Sequence, residues 1–145
     1  MERRASGSVE ETRQLGRELA KRLPDDGVLL LFGNLGAGKT VLTQGIGEGL
    51  GLDPRTIQSP SYTLVREHEQ GERRLIHVDL YRLEPSDLPA LGLEELLEGR
   101  GLKVVEWAER LDFPVTGAWR LWIRRQSAAE RRTIEIEIND GGTKE

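Results

Sequence analysis

The chain has 145 residues, and 25 acidic against 21 basic side chains give it a formal net charge of −4. This length favours one domain, which we expect to span residues 1–145. The acidic balance argues against a protein that grips nucleic acid by itself, because such binding depends on a net positive surface. The absence of cysteine excludes disulfides and thiolate metal sites, and two histidines are too few for a typical zinc site.

The first predicted element is a helix that begins at Ser8, because Ser8–Glu11 has the pattern of a capping box. Leucines then recur at every fourth position until Pro24 ends the pattern. We expect residues 1–7 before this helix to be frayed, and residues 141–145 likewise. No apolar segment resembles a secretory signal or approaches the about 18 residues of a membrane span. The sequence therefore predicts a cytoplasmic protein without membrane contact.

The most informative segment is Gly33–Thr40, which matches the phosphate-binding pattern G-x-x-x-x-G-K-[ST]. The apolar run Val28–Phe32 precedes it and predicts a buried strand. Val41–Ile46 follows it and predicts the first turns of a helix, which we expect to end near residues 49–51. This order of strand, glycine-rich loop and helix is the context in which the pattern binds phosphate.

The residue types within this loop suit a phosphate ligand. Gly33, Gly36 and Gly38 allow positive φ and a close approach of the backbone, so loop amides and a helix N-terminus converge on one anion. Lys39 brings a positive charge to the terminal phosphates. Thr40 offers a hydroxyl to a magnesium ion.

Further elements follow in the second half of the chain. Residues 63–78 predict a β-hairpin, Leu93–Glu98 a short helix and Leu102–Val105 a buried strand. Strands at Trp119–Arg125 and Thr133–Ile138 should pair. The fold class is therefore α/β: a single P-loop NTPase-like domain with a mixed central β-sheet of about five strands, flanked by helices on both faces.

Two acids could complete a magnesium site, since each follows a predicted strand. Asp79 follows the second hairpin strand, and Glu106 follows the more apolar run that ends at Val105. One of them could hold the ion with Thr40, while the other orients the attacking water. The alternative for each is a solvated acid at a strand end. His77 should share a strand face with Asp79, and we expect it to pack or to form a hydrogen bond there.

Three other features have open interpretations. Ser59–Thr63 is either a loop that senses the γ-phosphate or a polar loop entering a strand. Trp107 is either a stacking surface or an aromatic side chain that closes the core edge. The arginines of the C-terminal part form either a solvated face or a patch that meets phosphate, a base or tRNA.

Taken together, these segments make the chain resemble the TsaE (YjeE) family of small bacterial P-loop ATPases. The resemblance spans about residues 8–138. Four segments carry the resemblance, and their order and spacing are specific when taken together. They are Gly33–Thr40, Ser59–Val65, His77–Leu83 and Val104–Arg110.

The resemblance implies a mixed central sheet, a weak ATPase activity and a requirement for ATP and Mg²⁺. It implies a role in forming the threonylcarbamoyl group on adenosine beside the anticodon of tRNA. The expected partner is a TsaB–TsaD heterodimer, on which ATP binding and hydrolysis would support turnover. Contact with tRNA would then be indirect, through that complex.

The resemblance also assigns residues. Catalytic roles fall to Lys39, Asp79 and Glu106, with Asp79 in a Walker-B-like segment and Ser59–Tyr62 in a switch-like loop. Thr40 and Glu106 would coordinate magnesium. The nucleotide would be held by Thr12, Leu35, Gly36, Ala37, Gly38, Lys39, Thr40 and Arg131.

The sequence departs from the family pattern at three positions. Asn34 stands in place of a usual aspartate, Val41 in place of a common hydroxyl residue, and Ser61 in place of a usual threonine. None of these changes removes the phosphate-binding backbone. The lost charge at Asn34 alters what that position can offer to the loop or to a metal-bound water.

Other classes of P-loop protein would need other sequence features. A signalling GTPase would carry an Asn/Thr-Lys-x-Asp motif for guanine, and its absence favours adenine. A small P-loop kinase usually adds an arginine-rich lid and an acceptor pocket, for which this chain is short. A nucleotide-gated interaction module with incidental hydrolysis stays open as an alternative.

Overall fold

A computed structural model describes residues 1–33, 38–57, 65–84, 86–87, 91–126 and 131–139. The described helices are α1 (Val9–Arg22), α2 (Lys39–Gly49) and α3 (Leu93–Glu98), with short 3-10 turns at Pro54–Thr56 and Ala108–Arg110. The described strands are β1 (Glu2–Ser6), β2 (Val28–Phe32), β3 (Val65–Gln70), β4 (Arg73–Asp79), β5 (Leu102–Glu106), β6 (Trp119–Arg125) and β7 (Arg132–Glu137).

One mixed sheet unites these strands, in the order β1-β7-β6-β2-β5-β4-β3. The central strands β6, β2, β5 and β4 run parallel, whereas β7, β1 and β3 pair antiparallel with their neighbours. The predicted mixed α/β sheet is thus confirmed. The expected strand number of about five was too low, because the sheet has seven strands.

The N-terminal segment accounts for one of the additional strands. We expected residues 1–7 to be frayed, and this was wrong, because β1 pairs with β7 from Glu2 opposite Ile136 to Ser6 opposite Arg132. Its polar sequence gives no strand pattern of its own. Cross-strand backbone pairing and ion pairs such as Arg3 with Glu135 hold it in place. Residues 141–145 lie outside the described residues.

The sheet separates two apolar layers. Along β2, Leu29 and Leu31 pack in the layer of α1 and α2, whereas Val28 and Leu30 pack in the layer of α3. This alternation follows from the two-residue period of a strand. The continuous apolar run of β2 is explained by burial on both faces, as expected for a central parallel strand.

The predicted helix boundaries are confirmed. Ser8 caps α1 by accepting a hydrogen bond from the Glu11 amide, and α1 ends at Arg22, before Pro24. The hairpin of β3 and β4 turns at Gly71, which has a φ of 61°. Among the described residues, no helix is long and apolar enough to cross a membrane.

Candidate phosphate and metal site

The topology brings Gly33 and Gly38, the described residues on either side of positions 34–37 of the predicted phosphate loop, and both predicted acids to one edge of the sheet. β2 leads into Gly33, and α2 begins at Lys39. Because β2, β5 and β4 are parallel, their C-terminal ends lie at that same edge. The register places Leu31 beside Glu106 and Glu106 beside Asp79. The three strands therefore position a helix N-terminus and two carboxylates next to one another.

The N-terminus of α2 has the features of an anion site. Gly38 occupies the cap position with a φ of 111°, a left-handed conformation that favours glycine. Among the described residues, no side chain caps this end, and the first turn contains no acidic residue. Its amide groups therefore have no anion partner within the described part of the chain. Leu35, Gly36 and Ala37 lie outside the described residues, as do Asn34 and the segment Ser59–Tyr62, so their roles stay predictions.

Lys39 is buried at this edge, with 5% of its surface exposed. Its Nζ donates a hydrogen bond to the Gly33 carbonyl oxygen and lies 3.8 Å from the centroid of the Trp107 ring. Burial lowers the pKa of the Lys39 ammonium, and the nearby carboxylates of Glu106, Glu109 and Asp79 oppose that shift. The amine is thus held by neutral partners within a negatively charged surrounding.

The two acids are buried and individually held. Asp79 is 8% exposed, and its Oδ1 accepts a hydrogen bond of 2.9 Å from the Tyr81 amide. Glu106 is 3% exposed, and its Oε2 lies 2.5 Å from Nε2 of His77. The alternative of solvated acids at strand ends is therefore wrong for both. The expected hydrogen bond of His77 is confirmed, but its partner Glu106 could not be named without the register of β4 and β5.

Trp107 follows Glu106 and is the one non-glycine residue with positive φ, at 60°, among the described residues. This conformation turns the chain out of β5 and places the indole over Lys39. The ring also contacts Tyr81, with centroids 4.9 Å apart. Trp107 packs at the edge of the apolar layer of α3, as one interpretation expected, and its role as a stacking surface for a ligand stays a prediction. No sequence pattern signalled its contact with Lys39.

The outer predicted contacts lie beside Gly38. A small cavity there is lined by Ser8, Val9, Thr12, Gly38, Val41 and Arg132. Thr12 is buried, and its hydroxyl shares a 2.7 Å hydrogen bond with the Ser6 hydroxyl. Arg132, not the predicted Arg131, lines this cavity, because Arg132 shares its strand face with the buried Ile134. Arg131 is exposed and precedes the strand, so its nucleotide contact stays a prediction.

The arrangement also suits a divalent cation. Within the described part of the chain, no group of three or more acidic or histidine side chains could hold a metal by itself. Magnesium accepts fewer protein ligands when phosphate oxygens and water complete its octahedron. Thr40 lies in the first turn of α2 and Glu106 ends β5 at the same edge of the sheet, and their assignment as metal ligands stays a prediction. Since carboxylates outnumber the single buried lysine here, a phosphate would need a cation beside it.

A second cavity, of about 620 Å³, lies at the opposite edge of the sheet, between the helix C-termini and the start of β4. Its lining includes Pro24, Asp26, Arg73 and Arg100. None of the predicted site residues that the structure describes lines this cavity.

The central strand, the helix that follows its loop, and the lysine and acids gathered at one sheet edge define a single α/β domain of the P-loop-like class. A solved structure supports this class. The crystal structure of Bacillus subtilis YdiB superposes with a TM-score of 0.77 at 30% identity, over 95% of this chain and 86% of that one.

Sequence comparison identifies the family. The profile described as "Threonylcarbamoyl adenosine biosynthesis protein TsaE" matches residues 6–138. The chain therefore belongs to the TsaE family, and the resemblance drawn from its four sequence segments is confirmed.

Curated relatives agree with this assignment, and each is named tRNA threonylcarbamoyladenosine biosynthesis protein TsaE. The Nostoc protein is 44% identical over 108 residues, which are 72% of this chain and 66% of that protein. The Bacillus subtilis protein is 41% identical over 103 residues, 71% of this chain and 64% of that protein. The Aquifex aeolicus protein is 39% identical over 104 residues, 71% and 74% of the two chains. The match thus spans about two thirds of the length of the first two relatives.

Proposed function

We propose that this protein binds and hydrolyses ATP with Mg²⁺, and that this activity supports formation of the threonylcarbamoyl group on adenosine beside the anticodon of tRNA. The observation that carries the proposal is the buried Lys39, which lies at the start of α2 among the carboxylates of Glu106 and Asp79. Family membership adds the tRNA modification, which the names of the relatives state for those proteins.

The phosphates of ATP would meet the first-turn amides of α2 and the ammonium of Lys39. In the present structure Lys39 contacts a carbonyl oxygen and an aromatic face. A phosphate oxygen is a stronger, charge-assisted partner, so we expect the ammonium to exchange these contacts for it. The transfer of Lys39 to the nucleotide would also relieve part of the cost of its burial.

The acids would divide the remaining work. Thr40 and Glu106 would hold the magnesium ion, which when bound neutralises charge on the phosphates. Asp79, fixed by the Tyr81 amide, lies beside Glu106 and would orient water at the metal or at the phosphate. Hydrolysis by this chain alone should be slow, and a TsaB–TsaD complex would accelerate it.

Calorimetry tests the proposal directly. Titration of the protein with ATP should show binding that strengthens when Mg²⁺ is present, and hydrolysis should rise when the TsaB–TsaD heterodimer is added. Nucleoside analysis of tRNA from the reconstituted mixture should then show threonylcarbamoyl-adenosine only with all components. Failure of saturating Mg-ATP to bind, with and without the heterodimer, would overturn the proposal.

A second candidate function is a nucleotide-gated interaction module with incidental hydrolysis. It is favoured by the same contact of Lys39 with Trp107, because binding of phosphate would move the partly exposed Trp107 ring without any need for catalysis. A non-hydrolysable ATP analogue separates the two candidates. Modification sustained through many turnovers with the analogue would favour the module, whereas a single turnover would favour the coupled ATPase.

A further inference from the structure

The buried pair of His77 and Glu106 has a geometry that the roles given above do not use. His77 is fully buried on β4, and its Nε2 lies 2.5 Å from Glu106 Oε2 on the neighbouring strand β5. The parallel register aligns Asp79 with Glu106 and His77 with Val104. The hydrogen bond therefore runs diagonally between the strands, from one residue pair to the next along the same face.

The proposed metal site sets the direction of this hydrogen bond. A carboxylate that binds magnesium is ionised and only accepts hydrogen bonds, so Nε2 of His77 would donate to Glu106 there. The other ring nitrogen, Nδ1, is buried and has no hydrogen-bond partner among the described residues. A proton relay would need a second partner at Nδ1 to pass the proton onward. Within the described chain, His77 is thus placed to hold Glu106 rather than to move protons.

A purely structural role for His77 would cost stability, because its surroundings are apolar. The neighbours of His77 on this face are Leu75, two residues earlier on β4, and Val104, its partner on β5, and both are buried in the apolar layer of α1 and α2. A leucine at position 77 would continue that layer, whereas a histidine leaves one ring nitrogen unsatisfied. What a histidine offers here, and a leucine does not, is a hydrogen bond that fixes the carboxylate of Glu106.

The Glu106 carboxylate needs a partner that fixes its position, because a second buried carboxylate lies beside it. Asp79 and Glu106 are paired in register, and like charges at such positions repel. The Tyr81 amide holds Asp79, but glutamate has a longer side chain that could rotate away. We propose that His77 is a positioning residue that fixes Oε2 of Glu106 and thereby aims the carboxylate at the magnesium ion of the proposed ATP site. This inference rests on the proposed function.

Three variants at position 77 separate the donor from the bulk of the ring. In His77→Gln, the amide nitrogen can take the place of Nε2 and keep the hydrogen bond. In His77→Asn, the amide nitrogen takes the place of Nδ1 and cannot reach Glu106. His77→Leu keeps the volume without any donor. Loss of such an outer hydrogen bond typically costs about 10- to 100-fold in metal affinity or activity.

The primary measurement is the affinity for Mn²⁺ in the presence of a non-hydrolysable ATP analogue, determined by electron paramagnetic resonance. We expect His77→Gln to stay within about threefold of the wild type, and His77→Asn and His77→Leu to bind Mn²⁺ about 10- to 100-fold more weakly. Affinity for the nucleotide without metal should be unchanged in all three. In steady-state hydrolysis, kcat should fall more than KM for ATP rises.

A nuclear magnetic resonance measurement on the wild type needs no variant to fold. The chain has two histidines, so the ring nitrogens of His77 are readily distinguished from those of His68 on β3. We expect the proton of His77 to reside on Nε2, and its ¹⁵N shift to move on addition of magnesium and the ATP analogue, while that of His68 stays constant. A proton on Nδ1 would overturn the proposal.

The outcomes distinguish this inference from the proposed function. Equal Mn²⁺ affinity in His77→Gln, His77→Asn and the wild type would overturn the positioning role while leaving ATP binding intact. A His77→Gln variant as weak as His77→Asn would also overturn it, because the restored donor would then have no effect. If the wild type binds neither the analogue nor Mn²⁺, the proposed function fails, and this inference fails with it.

Discussion

At the scale of single residues, Lys39 is held by contacts that the proposed binding of phosphate would replace. Its ammonium is buried against the Gly33 carbonyl and the Trp107 ring, and its pKa is lowered by that burial. The sequence motif singled out Lys39 as the candidate phosphate ligand, and that role stays a prediction. The motif could not predict the aromatic partner, because that contact depends on the left-handed backbone at Trp107.

Replacement of Lys39 by alanine should abolish tight ATP binding. The variant loses a hydrogen bond to a charged group, worth about 1.5–3 kcal/mol, so the affinity should fall about 10- to 100-fold. Calorimetry with Mg-ATP measures this change. Lys21→Ala, at an exposed position of α1, serves as the control and should bind as the wild type does. An unchanged affinity in Lys39→Ala would contradict the predicted phosphate contact.

Replacement of Glu106 by alanine should affect turnover more than nucleotide affinity. The carboxylate is expected to hold the metal, whereas Lys39 and the α2 amides would still bind the phosphates. Hydrolysis at saturating ATP and increasing Mg²⁺, compared with calorimetric affinity, checks this split. Asp79→Ala is the matched comparison from the neighbouring strand. Normal hydrolysis in Glu106→Ala would move the metal role to Asp79.

Lys103 should make stability depend on alkaline pH. It is fully buried on β5, where its Nζ donates hydrogen bonds to the carbonyl oxygens of Asp26, at 2.9 Å, and Gly99. Burial lowers its pKa from 10.5 in the folded state. Between the lowered pKa and 10.5 the unfolded chain binds more protons, so the free energy of unfolding should rise with pH.

The variant Lys103→Met isolates this contribution. Urea denaturation at a series of pH values should show the stability of the wild type gaining on that of Lys103→Met as the pH rises through this window. Lys39, whose pKa is shifted in the same direction, is present in both proteins and cancels in the difference. A difference that stays constant with pH would show that Lys103 titrates normally in the folded state.

At the scale of secondary-structure elements, the close packing of α1 on α2 fixes the position of the candidate phosphate site. A Cβ atom added to Gly45 would lie 2.1 Å from the Arg13 carbonyl oxygen, and one added to Gly16 would lie 2.4 Å from that of Leu42. These backbones can approach only because glycine stands at the contact. Since α2 begins at Lys39, any shift of this helix is transmitted to the phosphate site.

The substitution Gly45→Ala should therefore destabilise the protein. Alanine favours a helix by about 1 kcal/mol over glycine, but overpacking typically costs about 1–3 kcal/mol, and a clash with backbone is hard to relieve. Urea denaturation should show a net loss, accompanied by weaker ATP binding. Gly7→Ala is the control, because its added Cβ would meet only the Glu11 side chain, at 3.5 Å or more. A stabilised Gly45→Ala variant would contradict this packing argument.

The elements also show what sequence could predict. Apolar runs and caps predicted α1, β2 and β5, because burial on both faces or a capping box leaves a local pattern. The strand β1 left none, since its polar residues are ordered by pairing with β7. The hydrogen bond between His77 and Glu106 was likewise not predictable in full, because it requires the register of two strands that are distant in sequence.

At the scale of the whole molecule, charge argues for an indirect relation to tRNA. The chain has a net charge of −4, and part of its C-terminal arginine charge is balanced, as Arg120 pairs with Glu137 and Arg124 with Glu135. Binding to a phosphate backbone depends on unbalanced positive charge. The protein alone should therefore bind tRNA weakly at physiological salt.

Electrophoretic mobility shifts test this expectation. The isolated protein should leave tRNA unshifted at micromolar concentration, and a shift should require the TsaB–TsaD heterodimer. The protein with Arg125→Glu, at an exposed arginine, should behave as the wild type does in both conditions. A salt-sensitive shift by the protein alone, weakened in that variant, would instead show a direct nucleic-acid surface.

The two-sided burial of β2 has a consequence for which substitutions the protein tolerates. Leu30 faces the layer of α3, whereas its neighbour Leu31 faces the layer of α2. Replacement of Leu30 by a smaller residue should lower the amount of folded protein in the cell, whereas the molecules that fold should keep their activity. Replacement of Leu31 by a smaller residue should lower both the amount of folded protein and the activity of the molecules that fold. Substitutions at these two adjacent positions would then differ in effect, since one lowers only the abundance of the protein and the other also lowers its activity.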